Sequence, residues 1–144
     1  MIDNLLIFYF SGTGNALTAA RWISENAEKK GIPVSIESIE TINHITIPKL
    51  TGKTLVGILF PTHGFNAPWI MLKFFHKFPR IPNTDVFFIN TRGGVKFGRI
   101  YLPGLSGIAT WLPMFLFWLM GVRLTTFSVD RYQQLKPTFA LYGD

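Results

Sequence analysis

The sequence contains no cysteine among its 144 residues. This absence excludes disulfide bonds, thiolate zinc sites and cysteine-ligated iron–sulfur clusters within the chain. Any redox chemistry must therefore depend on an organic cofactor held without a covalent bond, or on a partner. We predict no metal site and no catalytic side chain.

Charged residues are also scarce, at 15% of the chain, whereas 48% of the residues are hydrophobic. A chain with this balance buries a core and is not disordered, and its length suits one domain. The motifs of hydrolytic enzymes are missing: there is no Gly-x-Ser-x-Gly, no carboxylate pair at useful spacing and no histidine pair for a metal. The first residues lack the basic segment of a signal peptide, so we expect a cytoplasmic protein, with membrane association as an alternative.

Acidic residues are fewer than basic ones: the sequence has 8 Asp and Glu and 14 Lys and Arg, which gives a net charge of +6. Six of the basic residues fall between Lys73 and Arg99. This basic run is either a solvated face or a surface for an anionic partner, an anionic membrane or a phosphate ligand. No nucleic-acid-binding motif accompanies the charge, so we do not expect nucleic acid as a partner.

Short apolar segments predict the strands. Those at 5–10, 54–60 and 85–90 are nearly continuous and rich in β-forming residues, as in strands buried on both faces of a parallel sheet. The segment at 33–39 alternates between apolar and polar residues and predicts an edge strand. A last strand is predicted at 123–129.

Helical periodicity lies between these strands. Residues 16–30 have apolar positions three or four apart, and Gly31 ends that helix. Further helices are predicted at 69–78 and 105–121. Strands that alternate with helices indicate an α/β fold with a doubly wound parallel sheet, in which ligands bind at the carboxyl ends of the strands.

The loop Ser11-Gly12-Thr13-Gly14-Asn15 joins the first strand to the first helix. Two glycines let the backbone turn tightly and aim several N–H groups at one point, and the helix dipole adds positive potential. The loop has neither Lys nor Arg, and it matches neither the nucleoside-triphosphate loop nor the Gly-x-Gly-x-x-Gly of dinucleotide folds. A neutral loop that bears hydroxyl groups suits a monophosphate.

Tyr-Phe-Ser-Gly-Thr-Gly-Asn resembles the FMN-phosphate loop of flavodoxins, and especially of the flavodoxin-like domains often joined to bacterial ferredoxin modules. The segments 60–68 and 90–94 resemble that subgroup's two flavin-flanking loops. The resemblance covers roughly residues 4–130. It implies a five-stranded flavodoxin-like sheet of order 2-1-3-4-5, with FMN as the cofactor.

The resemblance also implies which residues contact FMN, in three loops. They are Ser11, Gly12, Thr13, Gly14, Asn15 and Ala16, then Pro61, Thr62, His63, Gly64, Phe65 and Asn66, and finally Thr91, Arg92, Gly93, Gly94 and Phe97. Phe65 is the candidate for stacking on the flavin ring, with Phe97 or Tyr101 on the other side. Arg92 either places a cation near the pyrimidine edge of the flavin or belongs to the basic run.

Ala16 departs from the subgroup's loop, which usually ends in a hydroxyl residue. A lost hydrogen bond to an anionic ligand costs about 1.5–3 kcal/mol. We therefore predict that Ala16→Thr tightens FMN binding, unless the hydroxyl of Thr18 already compensates.

Three functions are open at this point. The leading hypothesis is an electron carrier that shuttles electrons between redox protein partners, a ferredoxin-type protein among them. The second is an NAD(P)H- or quinone-linked flavin oxidoreductase. The third is a non-redox membrane- or partner-docking module that has lost FMN.

Eighteen residues at 105–122 carry no charge, and no polar face interrupts them between Trp111 and Met120. The segment predicts a buried or partner-covered helix, a helix docked at a membrane interface, or a membrane span. We divide the chain into a flavodoxin-like domain at 1–130 and an irregular tail at 131–144, in which the usual last covering helix is missing. Self-association or a partner that covers the apolar helix is therefore expected.

Overall fold

A computed structural model describes residues 2–41, 52–63, 66–79, 84–92, 95–97, 100–102, 111, 115–116, 118–119 and 123–130. Its elements, in chain order, are β1 (Asn4–Tyr9), α1 (Asn15–Glu28), β2 (Val34–Ser38), β3 (Thr54–Pro61), α2 (Trp69–Lys77), β4 (Thr84–Arg92), β5 (Val95–Phe97), β6 (Ile100–Leu102) and β7 (Arg123–Asp130).

The main sheet has five strands in the order β2-β1-β3-β4-β7, and every neighbouring pair is parallel. The predicted doubly wound α/β fold is confirmed, with β7 in the place of the predicted fifth strand. The β2 strand lies at one edge and alternates between half-buried and exposed residues, as its sequence pattern predicts.

One side of the sheet is covered by α1 through small side chains. Four alanines and Ser24 form the buried face of this helix. They pack against a cluster that includes Ile7, Leu59 and Phe87 of the strands. The Phe87 ring packs directly over Gly57, since a Cβ atom added at Gly57 would lie 2.5 Å from the Cζ atom of that ring. Glycine at this point of β3 therefore makes room for the ring on β4.

The other side of the sheet is covered by α2 through large side chains. Met71, Phe74 and Phe75 of α2 are buried against strand residues such as Phe8, Phe60 and Phe88. The Phe8 ring lies 5.2 Å from the Phe74 ring, and the Phe75 ring lies 5.9 Å from the Phe88 ring, both as centroid distances. Tilted and edge-on ring pairs of this kind stabilise a core beyond the area that they bury.

The segment after β4 differs from the expectation based on the sequence, and the C-terminal tail lies outside the described residues. The resemblance places residues 91–94 and Phe97 in one loop, but Thr91 and Arg92 complete β4, and Phe97 belongs to β5, which pairs with β6 as a short antiparallel hairpin. Three-residue strands leave too short a pattern for the period of two to show. The predicted tail at 131–144 lies outside the described residues.

The apolar segment at 105–122 is described only in part. Residues 111, 115, 116, 118 and 119 are helical, in agreement with the predicted helix. Among the described residues, no helix is both long and apolar enough to cross a membrane.

Candidate functional site: a phosphate loop at the carboxyl edge of the sheet

The three predicted loops leave neighbouring strands at the same edge of the sheet. The first follows β1, the second follows β3 and the third follows β4, and β3 pairs with both of the others. The Phe10 N–H donates to the Leu59 carbonyl at 2.9 Å, and the Thr62 N–H donates to the Thr91 carbonyl at 2.9 Å. Backbone hydrogen bonds thus continue beyond the strands and hold the loop starts side by side.

The first loop turns into α1 through a left-handed residue. Gly14 is the N-cap of α1 and has φ +82° and ψ −14°, a conformation that residues with a Cβ atom adopt at a cost. The hydroxyl oxygen of Ser11 accepts the Leu17 N–H at 3.2 Å, so Ser11 reaches over the loop and caps the helix. This capping role adds to the contact with phosphate that the sequence predicts for Ser11.

Six consecutive N–H groups, those of residues 11–16, have no acceptor in the part of the chain that the structure describes. Gly12, Thr13 and Gly14 are exposed, and a Cβ atom added at either glycine would meet no atom within 4 Å. The first turn of α1 contains no acidic residue. The loop therefore offers free donors, open space and the positive end of a helix dipole at one place, which suits an anion.

The side chains around this loop have distinct contacts. The Asn15 Nδ2 atom donates to Thr13 Oγ1 at 3.2 Å, and the Thr18 hydroxyl donates to the Gly14 carbonyl at 3.0 Å. Thr18 is thus engaged with the backbone. Ala16 is only 1% exposed as a whole residue, and its methyl group belongs to the core on the α1 side. This burial argues against the expected gain from Ala16→Thr.

The second loop is described at its two ends, which backbone hydrogen bonds hold together. The His63 N–H donates to the Asn66 carbonyl at 2.8 Å and the Asn66 N–H returns the bond to His63 at 2.9 Å. The Asn66 side-chain oxygen accepts the Ala67 N–H at 2.8 Å. Gly64 and Phe65, including the predicted stacking ring, lie outside the described residues.

Asn90 joins the second and third loops from inside the protein. The Thr62 hydroxyl donates to Asn90 Oδ1, and Asn90 is only 2% exposed. Its Nδ2 atom is buried and has no acceptor among the described residues. We had not predicted Asn90 as a site residue. A polar amide that ends the apolar run of β4 is the signal that could have identified it.

The third loop is described only in part. Thr91 is half-buried as the next-to-last residue of β4, and Arg92 ends the strand. Gly93 and Gly94 lie outside the described residues, and Phe97 is the last residue of β5. Among the described residues, no group of three or more His, Cys, Asp or Glu could hold a metal ion.

The strand order and the loop after β1 define a flavodoxin-like fold. The chain superimposes on rubredoxin oxygen:oxidoreductase from Desulfovibrio gigas with a TM-score of 0.71 at 19% identity, over 90% of this chain and 31% of that protein. It superimposes on a flavodoxin from Streptococcus pneumoniae TIGR4 with a TM-score of 0.66 at 14% identity, over 88% of this chain and 82% of that protein. For the Flv1 flavodiiron core from Synechocystis sp. PCC6803 the TM-score is 0.65 at 21% identity, over 89% of this chain and 30% of that protein.

These identities establish the fold alone. The chain spans less than a third of the rubredoxin oxygen:oxidoreductase, whose activity belongs to a much longer protein. No protein-family model matches the sequence, and no curated protein does. Membership of the subgroup joined to ferredoxin modules stays a prediction.

Proposed function

We propose that the chain binds FMN, with the phosphate on residues 11–16 and the flavin ring between the second and third loops, and that it transfers electrons between redox proteins. The row of free N–H groups at the start of α1 carries this proposal. Those donors suit a monophosphate because they follow one another along the chain and no basic side chain lies in the loop. The flavodoxin-like fold supports the choice of FMN over other phosphates.

The hydroxyl groups of the first loop fit a phosphate as well. Ser11 Oγ and Thr13 Oγ1 each accept a hydrogen bond from the protein, from the Leu17 N–H and from Asn15 Nδ2. A hydroxyl that accepts still has its own hydrogen to donate. The oxygen atoms of both hydroxyl groups therefore accept from the protein, and their hydrogen atoms are available to donate to phosphate oxygens.

The flavin ring would lie against the backbone of the second and third loops. The hydrogen bond from Thr62 to Thr91 and the pair between His63 and Asn66 fix the exits of β3 and β4 next to each other. A preformed edge of this kind orients a planar ring at low entropic cost. FMN supplies the redox chemistry when it is bound, and the chain contributes binding, orientation and electrostatic tuning.

A titration of the purified protein with FMN, followed by quenching of flavin fluorescence, tests the binding site. Gly14→Ala should weaken FMN binding about tenfold or more, because a Cβ atom forces the loop out of the left-handed conformation. Gly31→Ala is the matched control: it has φ +74° and equally open space, but it lies beyond the far end of α1. Equal affinities of the two variants, or no quenching by the unmodified protein, would contradict the site.

Electron transfer is tested separately on the FMN-loaded protein. We expect the bound flavin to be reduced by a ferredoxin-type protein and reoxidised by an acceptor protein. Rapid bleaching by NADPH without a reductase would instead support the oxidoreductase hypothesis.

A further inference from the structure

We infer that the outer surface of the α2 side docks on an anionic membrane. Six large hydrophobic side chains are notably exposed in the described part of the chain. Five of them form what we term the tryptophan face: Trp69, Trp111, Phe115, Trp118 and Leu119. Trp111, Trp69 and Trp118 are 78%, 70% and 67% exposed, and the sixth, Trp22 of α1, is 41% exposed.

The tryptophan face belongs to one layer of the protein. Trp69 begins α2, whose buried residues form the core on that side of the sheet. The helical residue Leu116 packs against the same core cluster. Trp22 lies on α1, which packs against the other cluster. Exposed aromatic side chains are therefore concentrated on the layer opposite α1.

Two contacts involve side chains of the tryptophan face, one between two of its rings and one between a ring and a lysine. The Phe115 and Trp118 rings stack at 6.2 Å between centroids, and the Lys73 Nζ atom lies 5.8 Å from the Trp69 ring centroid. Tryptophan beside a cation is the pairing found where proteins meet lipid headgroups, because the ring enters the apolar boundary and the cation meets phosphate.

Basic residues greatly outnumber acidic ones in the part of the chain that contains α2 and the tryptophan face. Between residues 41 and 129 the sequence has nine Lys and Arg but a single acid, Asp85. That acid is paired with Lys53 at 3.0 Å, and its strand position, near the start of β4, lies at the amino edge of the sheet. Helix α2 contains Lys73 and Lys77, which are exposed, and no acid. The two lysines of α2 can therefore attract anionic headgroups, and no carboxylate on the same helix neutralises them.

A second copy of the chain fits this face less well than a membrane. A symmetric dimer through the tryptophan face would bring the same exposed lysines of both copies to one interface. Like charges at a shared interface are destabilising, whereas anionic lipids neutralise them. Trp69 follows the second loop directly, so docking through this face would also bring the carboxyl edge of the sheet close to the lipid surface.

Co-sedimentation of the full chain with vesicles tests the inference. Vesicles of phosphatidylcholine mixed with phosphatidylglycerol should bind the protein, and those of phosphatidylcholine alone should bind it much less. Trp111→Ala/Trp118→Ala should weaken binding about tenfold, since two rings no longer enter the interface. Trp22→Ala removes an exposed tryptophan from the opposite layer and should change nothing.

The contribution of the α2 lysines to membrane binding is tested with two charge-reversal variants, one on α2 and one at the end of α1. Lys73→Glu/Lys77→Glu should weaken binding on the order of tenfold or more, and added salt should weaken the binding of the unmodified protein. Lys29→Glu/Lys30→Glu makes the same change in exposed residues at the end of α1 and should have a much smaller effect.

Three results would overturn the inference. The first is equal loss of binding in the two charge-reversal variants, and the second is no binding to either kind of vesicle. The third is a dimer in light scattering that Trp111→Ala/Trp118→Ala dissociates while vesicles do not bind. Unchanged circular dichroism of each variant shows that lost binding is not lost folding, which is the expected result for exposed positions.

Discussion

The two sides of the sheet are built from different side chains. Alanines form most of the buried face of α1, and Cα atoms of α1 come within 8 Å of Cα atoms in β1, β2, β3 and β4. The buried face of α2 consists of Met71, Phe74 and Phe75, whose rings pack with those of the strands. Small side chains let a helix approach a sheet closely, whereas aromatic side chains fill a thicker layer.

The backbone N–H groups that lead into the two helices also differ. Residues 11–16 leave their N–H groups free within the described part of the chain. At the start of α2 the Ala67 N–H is bound by the Asn66 side chain, Pro68 has no N–H, and the Met71 N–H donates to the Pro68 carbonyl at 2.8 Å. Both helices begin at the same edge of the sheet, and the N–H groups of Trp69 and Ile70 in the first turn of α2 also have no acceptor among the described residues. The difference lies in the residues before each helix: those before α1 keep donors for a ligand, and those before α2 are satisfied by the chain itself. We call the α1 side of the sheet the thin layer and the α2 side the thick layer. The thin layer therefore carries the candidate anion site, and the thick layer carries the exposed tryptophans of the tryptophan face.

The largest effect is expected where the thick layer is anchored. Met71 is 0% exposed, so Met71→Ala should lower the free energy of unfolding by about 2–5 kcal/mol, as a deleted core side chain leaves a cavity. Urea denaturation measures this loss. Ile70→Ala, at the half-buried neighbouring position, should cost clearly less. Equal costs at the two positions would show that α2 is not anchored through Met71.

The next effect is expected where the thin layer has no spare volume. Gly57→Val should destabilise the protein by about 3 kcal/mol, because the added side chain would occupy the space of the Phe87 ring. Adding Phe87→Leu should recover part of that loss, and the non-additivity of the two changes is measured in a double-mutant cycle. Strict additivity would mean that the two positions do not compete for space.

The link between the second and third loops is tested by Thr62→Val. This change removes the donor to Asn90 Oδ1 and leaves a buried amide without a partner among the described residues, at a cost of about 1–3 kcal/mol. The double variant Thr62→Val/Asn90→Leu should cost less than the sum of the single changes, because no half-satisfied pair remains. If the costs add, the hydrogen bond does not couple the loops. FMN affinity should fall with Thr62→Val if the loops flank the ring.

Much of the fold follows from local patterns. The apolar run at 5–10 overlaps β1 in all but its last residue, the run at 54–60 lies within β3, and the alternating run at 33–39 contains the edge strand β2. Gly31 follows the end of α1 with φ +74°, and the Ile32 N–H donates back to the Ala27 carbonyl. These features depend on the period and the chemistry of neighbouring residues, which the sequence contains.

Other features depend on contacts between distant residues, and no local pattern predicts those. The burial of Ala16 comes from packing against the sheet, which the pattern of the loop does not show. Asn90 is buried and bonded to Thr62, 28 residues away. The β5–β6 hairpin consists of strands too short to show a period.

The smallest effect distinguishes two hydroxyl groups of the thin layer. Ser11 Oγ accepts the Leu17 N–H at the open start of α1, so Ser11→Ala should cost about 1 kcal/mol of stability. The Thr18 hydroxyl donates to the Gly14 carbonyl on an exposed face, where the backbone can bond water instead, and Thr18→Ala should stay within about 0.5 kcal/mol. In an FMN titration the contrast should widen, because Ser11→Ala also removes a donor to the phosphate, at about tenfold in affinity. Thr18→Ala leaves all six free N–H groups and both loop hydroxyls in place, so its affinity should match that of the unmodified protein. If Ser11→Ala lost stability and kept full affinity, Ser11 would be a helix cap alone, and the phosphate would depend on the backbone donors.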